Sequence, residues 1–282
     1  MYGLPDAMTA PPLETAEAGG LTLAYRERGS GPAVLLLHGW PTSSYLWRDV
    51  MPPIATRNRV IAVDLPGFGG SDKPVDAAYD FDFFEGALDG FLAALDVDDV
   101  ALAVHDLGGP VGVHWALHRR ERVRKLALLN TLVYPEFSEA VMMFLKACSE
   151  PELREQLTSP AGLEAAMKLG LADEANLTEE SLAAVREPFQ TEESRRALAA
   201  AGVGLDLDGF VEIAQKLPDL EVPVRVIYGA QDRILPDVAE TMARVARDMP
   251  QAEITALPEC GHFLQEEAGP RIGEELATFF AG

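Results

Sequence analysis

Asp106, Asp232 and His262 are the residues through which this 282-residue chain could do chemistry. Each directly follows a short apolar, β-rich run. Asp106 lies in the stretch VHDLGG (104–109), Asp232 in GAQDR (229–233) and His262 in PECGHF (258–263). A carboxylate is ionised at neutral pH and needs no base to prepare it for attack on carbon. An imidazole can take a proton from water, and a second carboxylate can hold that ring in its productive tautomer. Gly108 and Gly109 let the chain turn sharply from strand into helix without a Cβ clash. Each residue also has a plain reading. Asp before a helix is a common N-cap, and a lone loop histidine is more often solvated than reactive. A fourth segment, HGWP (38–41), also ends a strand and could be a simple turn. What favours chemistry is that all four segments fall at strand ends.

Those ends belong to a recognisable frame. Apolar β-rich runs at 33–37, 60–63, 100–104, 123–129, 224–228 and 253–257 alternate with helical periodicity at 83–95, 109–118, 238–248 and 272–280. That alternation predicts an α/β fold, a mostly parallel sheet with helices on both faces. Runs at 13–18 and 21–27, joined by Gly19-Gly20, predict an opening hairpin. Between Asn130 and about Leu217 the β rhythm stops, and Pro135, Pro151, Pro160 and Pro188 punctuate a helix-rich block. Five helices are expected there, at 141–148, 161–169, 177–185, 191–200 and 209–216. The expected division is a core of 13–130 and 218–282, a helical cap of 131–217 and a flexible leader of 1–12.

Composition narrows the partners. The chain is 48% hydrophobic and 24% charged, which excludes a disordered or collagen-like chain. Forty-five acidic against 23 basic residues give a net charge of −22, which repels nucleic-acid backbones and anionic membranes. Cys148 and Cys260 match no metal or disulfide framework and suit a reducing cytoplasm. The opening MYGLPDAMTAPP has no basic and apolar signal pattern, so a cytoplasmic protein is expected.

The sequence resembles the aspartate-nucleophile branch of the α/β-hydrolase superfamily, and most of all haloalkane dehalogenases. The stretches that carry the resemblance are HGWPTSSYLWR (38–48), DLPGFGGSDKP (64–74), HDLGGPVG (105–112) and GHFLQEE (261–267). Asn130-Thr131 and EPFQTEESRR (187–196) add to it. The order Asp106, Asp232, His262 matches the nucleophile–acid–base order of that superfamily, with Asp106 where most members carry Ser. The resemblance implies that Asp106 attacks a saturated carbon and forms an alkyl–enzyme ester. His262, oriented by Asp232, would activate the water that hydrolyses it. The backbone amides of Trp40 and Leu107 would form the oxyanion hole. It implies no metal and no organic cofactor; the partners are a small apolar substrate and water, and oligomeric state is open.

The leaving group separates the activities that the resemblance allows. A halide needs hydrogen-bond donors and no proton, whereas an epoxide oxygen needs an acid, which similar epoxide hydrolases take from two lid tyrosines. This lid has only Tyr134. Haloalkane dehalogenases usually place Trp after the nucleophile to hold the halide, and here Leu107 stands there, leaving the indole of Trp40 as substitute donor. A hydrogen bond to an ion is worth roughly 1.5–3 kcal/mol, so one lost donor slows departure by about 10- to 150-fold. Leu107 and Val111 occupy the places where fluoroacetate dehalogenases carry arginines, so an uncharged substrate is expected. Tyr134, Met143 and Phe144, with Met142, are candidate pocket-lining residues, ordinary lid packing being the plainer reading. An epoxide hydrolase and a non-catalytic ligand sensor remain the alternative functions.

Two further patterns have plain readings. His114 and His118 are spaced i, i+4, but a zinc hydrolase would want Glu where Trp115 stands. The run GFGG (67–70) lacks the Lys-Ser/Thr of a phosphate loop and reads as a surface turn.

Overall fold

The computed structural model describes residues 10–281. Among the described residues eight strands run in chain order: β1 (Glu14–Ala18), β2 (Leu21–Arg28), β3 (Ala33–Leu37), β4 (Arg59–Val63), β5 (Val100–Asp106), β6 (Val123–Thr131), β7 (Val224–Gly229) and β8 (Ala252–Leu257). They form one sheet ordered β1-β2-β4-β3-β5-β6-β7-β8. From β4 to β8 neighbouring strands pair in parallel, whereas β2 joins β4 antiparallel and β1 folds back on β2. Gly19 and Gly20, both at positive φ (62° and 93°), make the tight turn between β1 and β2 that the sequence predicts.

Because side chains alternate across a strand, the near-continuous apolar runs of β3, β4 and β5 must be covered on both faces. Leu35, Ile61, Leu102 and Val104 point to one side and Val34, Val60, Ala101 and Ala103 to the other, and all are fully buried. Eleven helices among the described residues supply the cover. They are α1 (Met51–Ile54), α2 (Phe81–Ala94), α3 (Gly108–His118), α4 (Glu139–Ser149), α5 (Pro151–Leu157), α6 (Pro160–Gly170), α7 (Glu179–Arg186), α8 (Glu192–Val203), α9 (Leu207–Lys216), α10 (Val238–Asp248) and α11 (Leu264–Phe280). α2, α3 and α10 pack on the first face, and α1 and α11 on the second. α11 begins earlier than the expected 272–280 and is broken at Ala268, just before Pro270.

The helices α4–α9 all lie between β6 and β7, as a cap inserted into the core. Their starts are chemically marked: Ser138, Ser159, Thr178, Thr191 and Asp206 each accept a hydrogen bond from the backbone of the turn that follows. α5 is a sixth cap helix that the sequence reading passed over as a break at Pro151. Proline is well placed there, at the first helical position, where no backbone donor is needed. Residues 1–9 of the expected leader lie outside the described residues. At 10–12 the chain is already against the core, since Pro11 is buried and its carbonyl accepts a hydrogen bond from Arg26. No described helix is long and apolar enough to cross a membrane.

Candidate active site

The turn from β5 into α3 puts one carboxylate into an unusual backbone position. Asp106 has φ +50°, which costs a residue with a Cβ roughly 1–3 kcal/mol, and the pairing of β5 with β6 slips between His105 and Asp106. Thr131, at the end of β6, holds the strained peptide by donating its hydroxyl to the Asp106 carbonyl at 2.7 Å. Glycine is required on both sides. A Cβ on Gly39 would lie 2.2 Å from Asp106 Oδ1, and one on Gly108 would lie 2.4 Å from the His38 carbonyl. The loop after β3 can therefore close onto the turn, and the Trp40 amide donates to Asp106 Oδ1 at 2.6 Å. The Leu107 amide is also close enough to help hold the pKa of this carboxylate down. No side chain caps α3. The Asp106 side chain is turned away from the helix-capping position that the plain reading would give it.

The loop that supplies the Trp40 amide is itself pinned. His38 Nε2 accepts from the Leu65 amide at 3.0 Å, so its Nδ1–H donates to the Gly39 carbonyl at 3.0 Å. Burial holds His38 below the ordinary histidine pKa, in keeping with this neutral ring. Asp64 ties the next segment down by accepting from the Ser44 and Gly70 amides at 2.6 and 2.7 Å.

His262 stands in the turn between β8 and α11 and is fully buried. Its Nδ1 donates to Asp232 Oδ2 at 2.8 Å, while Nε2 has no hydrogen-bond partner and lies 3.4 Å from Asp106 Oδ2. Asp232, in the loop after β7, is fixed by the amides of Ile234 and Leu235, each at 2.8 Å from Oδ1. Burial alone would push the His262 pKa down, but the negative charges of Asp232 and Asp106 outweigh it and push the ring up to about 10. Burial opposes charge on both carboxylates too, yet the facing imidazole holds each below its usual pKa. His105 behaves oppositely. Its Nε2–H donates to the His262 carbonyl at 2.9 Å, and burial, with the neighbouring His262 charge, pushes it down to about 3.

Asn130 is a site residue that its pairing with Thr131 did not explain. Fully buried at the end of β6, it donates Nδ2–H to Asp232 Oδ2 at 2.7 Å and accepts from the Gly229 amide at 2.8 Å. A buried carboxylate is stabilised by each such donor, so Asn130 helps to hold Asp232 charged and aimed.

Asp106 forms part of the floor of a cavity of about 630 Å³ beneath the cap. Trp40, Leu107 and Phe263 line it from the core, with Met143, Phe144 and Phe210 facing them from the cap. The walls are overwhelmingly apolar. The Arg233 charge at the rim is tied to cap backbone carbonyls, including that of Leu169 at 3.0 Å. Met143 is 65% exposed, so it stands at the mouth, whereas Phe144 packs edge-on against Trp40 with ring centres 4.9 Å apart.

Two expected side-chain roles need correction. The Trp40 indole N–H, anticipated as a halide donor, donates to the Leu198 carbonyl on α8 at 3.3 Å. The position of that cap helix, invisible in local sequence, decides where the indole points. Tyr134 does not line the cavity. Its hydroxyl donates to Asp248 at 2.7 Å, and the Arg244 guanidinium lies 3.7 Å over its ring, so the charges of α10 hold it elsewhere. Among the described residues one group has metal-ligating character, Glu85, His114 and His118, and none of the three lines the cavity.

A family model of the α/β-hydrolase fold matches residues 32–269. A haloalkane dehalogenase of Sphingobium indicum is 33% identical over 288 aligned residues, covering 93% of each chain. The crystal structure of the haloalkane dehalogenase DbeA from Bradyrhizobium elkani USDA94 superposes with a TM-score of 0.84 at 29% identity, over 96% of this chain and 98% of the other. An epoxide hydrolase, CorEH, superposes with a TM-score of 0.82 at 25% identity, over 96% and 98%.

Proposed function

The chain belongs to the α/β-hydrolase family, as a hydrolase of the haloalkane-dehalogenase and epoxide-hydrolase type, and from that premise we propose that it cleaves carbon–halogen bonds of apolar haloalkanes. The observation that carries this reading is the Asp106 carboxylate on the floor of an apolar cavity, held by the Trp40 amide with His262 Nε2 behind it. Asp106 attacks the halogen-bearing carbon, the carbon–halogen bond breaks, and halide leaves with the bonding electron pair. What remains is an ester of Asp106. Esterification removes one of the two negative charges that raise His262, so its pKa falls and the ring passes its proton to water, the proton that accompanies the departing halide in the net reaction.

The neutral Nε2 then takes a proton from water as that water adds to the Asp106 carboxyl carbon. The Trp40 and Leu107 amides, already pointed at this carboxyl, stabilise the oxyanion. Collapse of the intermediate releases the alcohol and restores the carboxylate. Asp232 holds the imidazole throughout, with Asn130 behind it.

The leaving group decides between halide and epoxide. An epoxide oxygen departs as an alkoxide and calls for an acid, but no tyrosine among the described residues lines the cavity and the Tyr134 hydroxyl is engaged by Asp248. The likeness to an epoxide hydrolase keeps that second reading in the test. Halide stabilisation is also thin, because Leu107 brings no side-chain donor and the Trp40 indole is spent on Leu198. Turnover should therefore favour iodide and bromide, the better leaving groups, over chloride. The deciding experiment measures halide and diol release from a panel of haloalkanes and epoxides, with wild type beside Asp106→Asn. Halide release lost in the variant is expected. Diol formation from epoxides with no halide release overturns the reading in favour of an epoxide hydrolase, and tight binding without turnover would make the protein a sensor.

A further inference from the structure

Where the cap meets the core, away from the reaction cavity, two imidazoles and two carboxylates converge. His114 and His118 lie one turn apart on the same face of α3, Glu85 approaches from α2, and Glu212 reaches down from the cap helix α9. His114 Nδ1 is 2.5 Å and His118 Nδ1 3.0 Å from the same oxygen, Glu85 Oε1. On the other side, Glu212 lies 2.9 Å from His118 Nε2 and 3.4 Å from His114 Nε2. One donor atom each from Glu85, His114 and His118 can be chosen within 4.8 Å of one another. We infer that Glu85, His114 and His118 form a binding site for a divalent transition-metal ion of the zinc class on the Nδ1 side of the two rings, with Glu212 accepting from their Nε2–H groups so that the set clasps the cap to the core.

Donor accounting supports an ion there. A neutral imidazole has one N–H and one lone pair, yet each of these rings presents both nitrogens to carboxylate oxygens. One nitrogen lone pair per neutral ring thus faces an oxygen lone pair, which either a second proton or a bound cation relieves; with a cation at Nδ1, each Nε2–H donates to Glu212. The spacing also suits. Ligand atoms around a tetrahedral ion at about 2.0–2.1 Å are about 3.3–3.4 Å apart, so Glu85 Oε1, at 2.5 and 3.0 Å from the two Nδ1 atoms, has to withdraw by only about 1 Å or less to admit an ion. Two imidazoles with carboxylates select zinc, cobalt, nickel or copper over calcium and magnesium.

The surroundings are built to hold the set in place. The His114 ring is stacked on Phe81 at 4.2 Å, and Glu85 Oε2 accepts from Arg119 at 2.6 Å, leaving Oε1 for an ion. The His118 side chain is 35% exposed, which opens a path from solvent. Phe210 on α9, two residues before Glu212, lines the cavity, so an ion here would fix one wall of the substrate space without touching the reacting atoms.

The test titrates cobalt(II) into the chelator-treated full-length protein, reading its visible absorption, and then displaces it with zinc(II). One cobalt per chain, with a tetrahedral-type spectrum and a zinc-dependent rise in Tm, is expected. His118→Asn and Glu212→Gln alter partly exposed side chains outside the proposed triad. Each should weaken binding by at least about 10-fold, the lower bound seen even for outer partners of metal ligands, and leave metal-free Tm and turnover nearly unchanged. Absence of stoichiometric cobalt binding overturns the proposal. Binding that survives both substitutions does so too, because the ion then sits elsewhere on the acidic surface.

Discussion

His262 and His118 each stand between two carboxylates, at 2.8 and 3.4 Å in the first case and 3.0 and 2.9 Å in the second. Their settings differ in what neutralises the acids. At the cap–core seam fixed cations do part of it, since Arg119 pairs with Glu85 and Lys216 with Glu212. At the cavity floor Asp106 is met by amide N–H groups and one imidazole, with no Lys or Arg paired to it among the described residues. Amides orient a carboxylate without cancelling its charge, so Asp106 keeps the electron density that an attack on carbon requires. On the proposed readings, the same pair of residue types would serve as a ligand set in one place and as a nucleophile with its base in the other. The difference lies in local counter-charge and in access to an apolar cavity.

That contrast can be broken most severely at Asp106. Asp106→Asn removes the nucleophile's charge, and halide release is expected to fall by about 10⁴-fold or more, the scale seen when a member of a catalytic triad is lost. His262→Gln should leave alkylation in place and slow ester hydrolysis by about 10²–10⁴-fold, the usual worth of a general base. A burst of one halide per enzyme, followed by a stalled ester, is the result to look for. Steady turnover would remove His262 from the base role.

The pH dependence sharpens the same comparison. With both flanking acids ionised, the folded-state pKa of His262 is pushed up to about 10, above the unfolded value of about 6.5. Its stabilising contribution is therefore fully present below about pH 6.5 and is lost as pH rises through about 10. Wild type should lose its Tm advantage over His262→Gln across that window. Ester decay in single-turnover experiments should depend on a pKa well below 10, because Asp106 is then uncharged; equal values for the two would contradict the coupling.

Smaller effects are expected around the rim of the site. Asn130→Ala deletes one donor to buried Asp232 while Ile234 and Leu235 remain. A hydrogen bond to a charged group is worth roughly 1.5–3 kcal/mol, so kcat should fall by about 10- to 150-fold, with little change in KM. Trp40→Phe keeps the ring that packs on Phe144 and loses only the bond to the Leu198 carbonyl. Halide release should change by no more than about 2- to 13-fold, in line with the roughly 0.5–1.5 kcal/mol of a neutral hydrogen bond. A large loss would return the indole to the halide site.

Much of the frame was legible because its signals are local. Buried strands announce themselves as unbroken apolar runs, and Gly19-Gly20, Gly39 and Gly108 mark places where backbone must turn or approach closely. Asp106, Asp232 and His262 could be placed together because a parallel sheet gathers its strand ends at one edge. What escaped the sequence depends on contacts between distant elements. The direction of the Trp40 indole is set by α8, and the placement of Tyr134 by Arg244 and Asp248. The i, i+4 histidines looked idle because Glu85 and Glu212 lie 29 and 98 positions from His114. Asn130 was noticed as part of a motif, but its work required knowing that Asp232 lies beside it.

Following oxygen through one turnover tests the central claim most directly. With enzyme in excess over a bromoalkane in heavy-oxygen water, the alcohol of the first turnover should carry ordinary oxygen, taken from Asp106. Mass spectrometry of the peptide containing Asp106 should find the heavy isotope in its carboxylate. Heavy oxygen in the first alcohol, with Asp106 unlabelled, would mean that water attacks the substrate directly and that no ester forms.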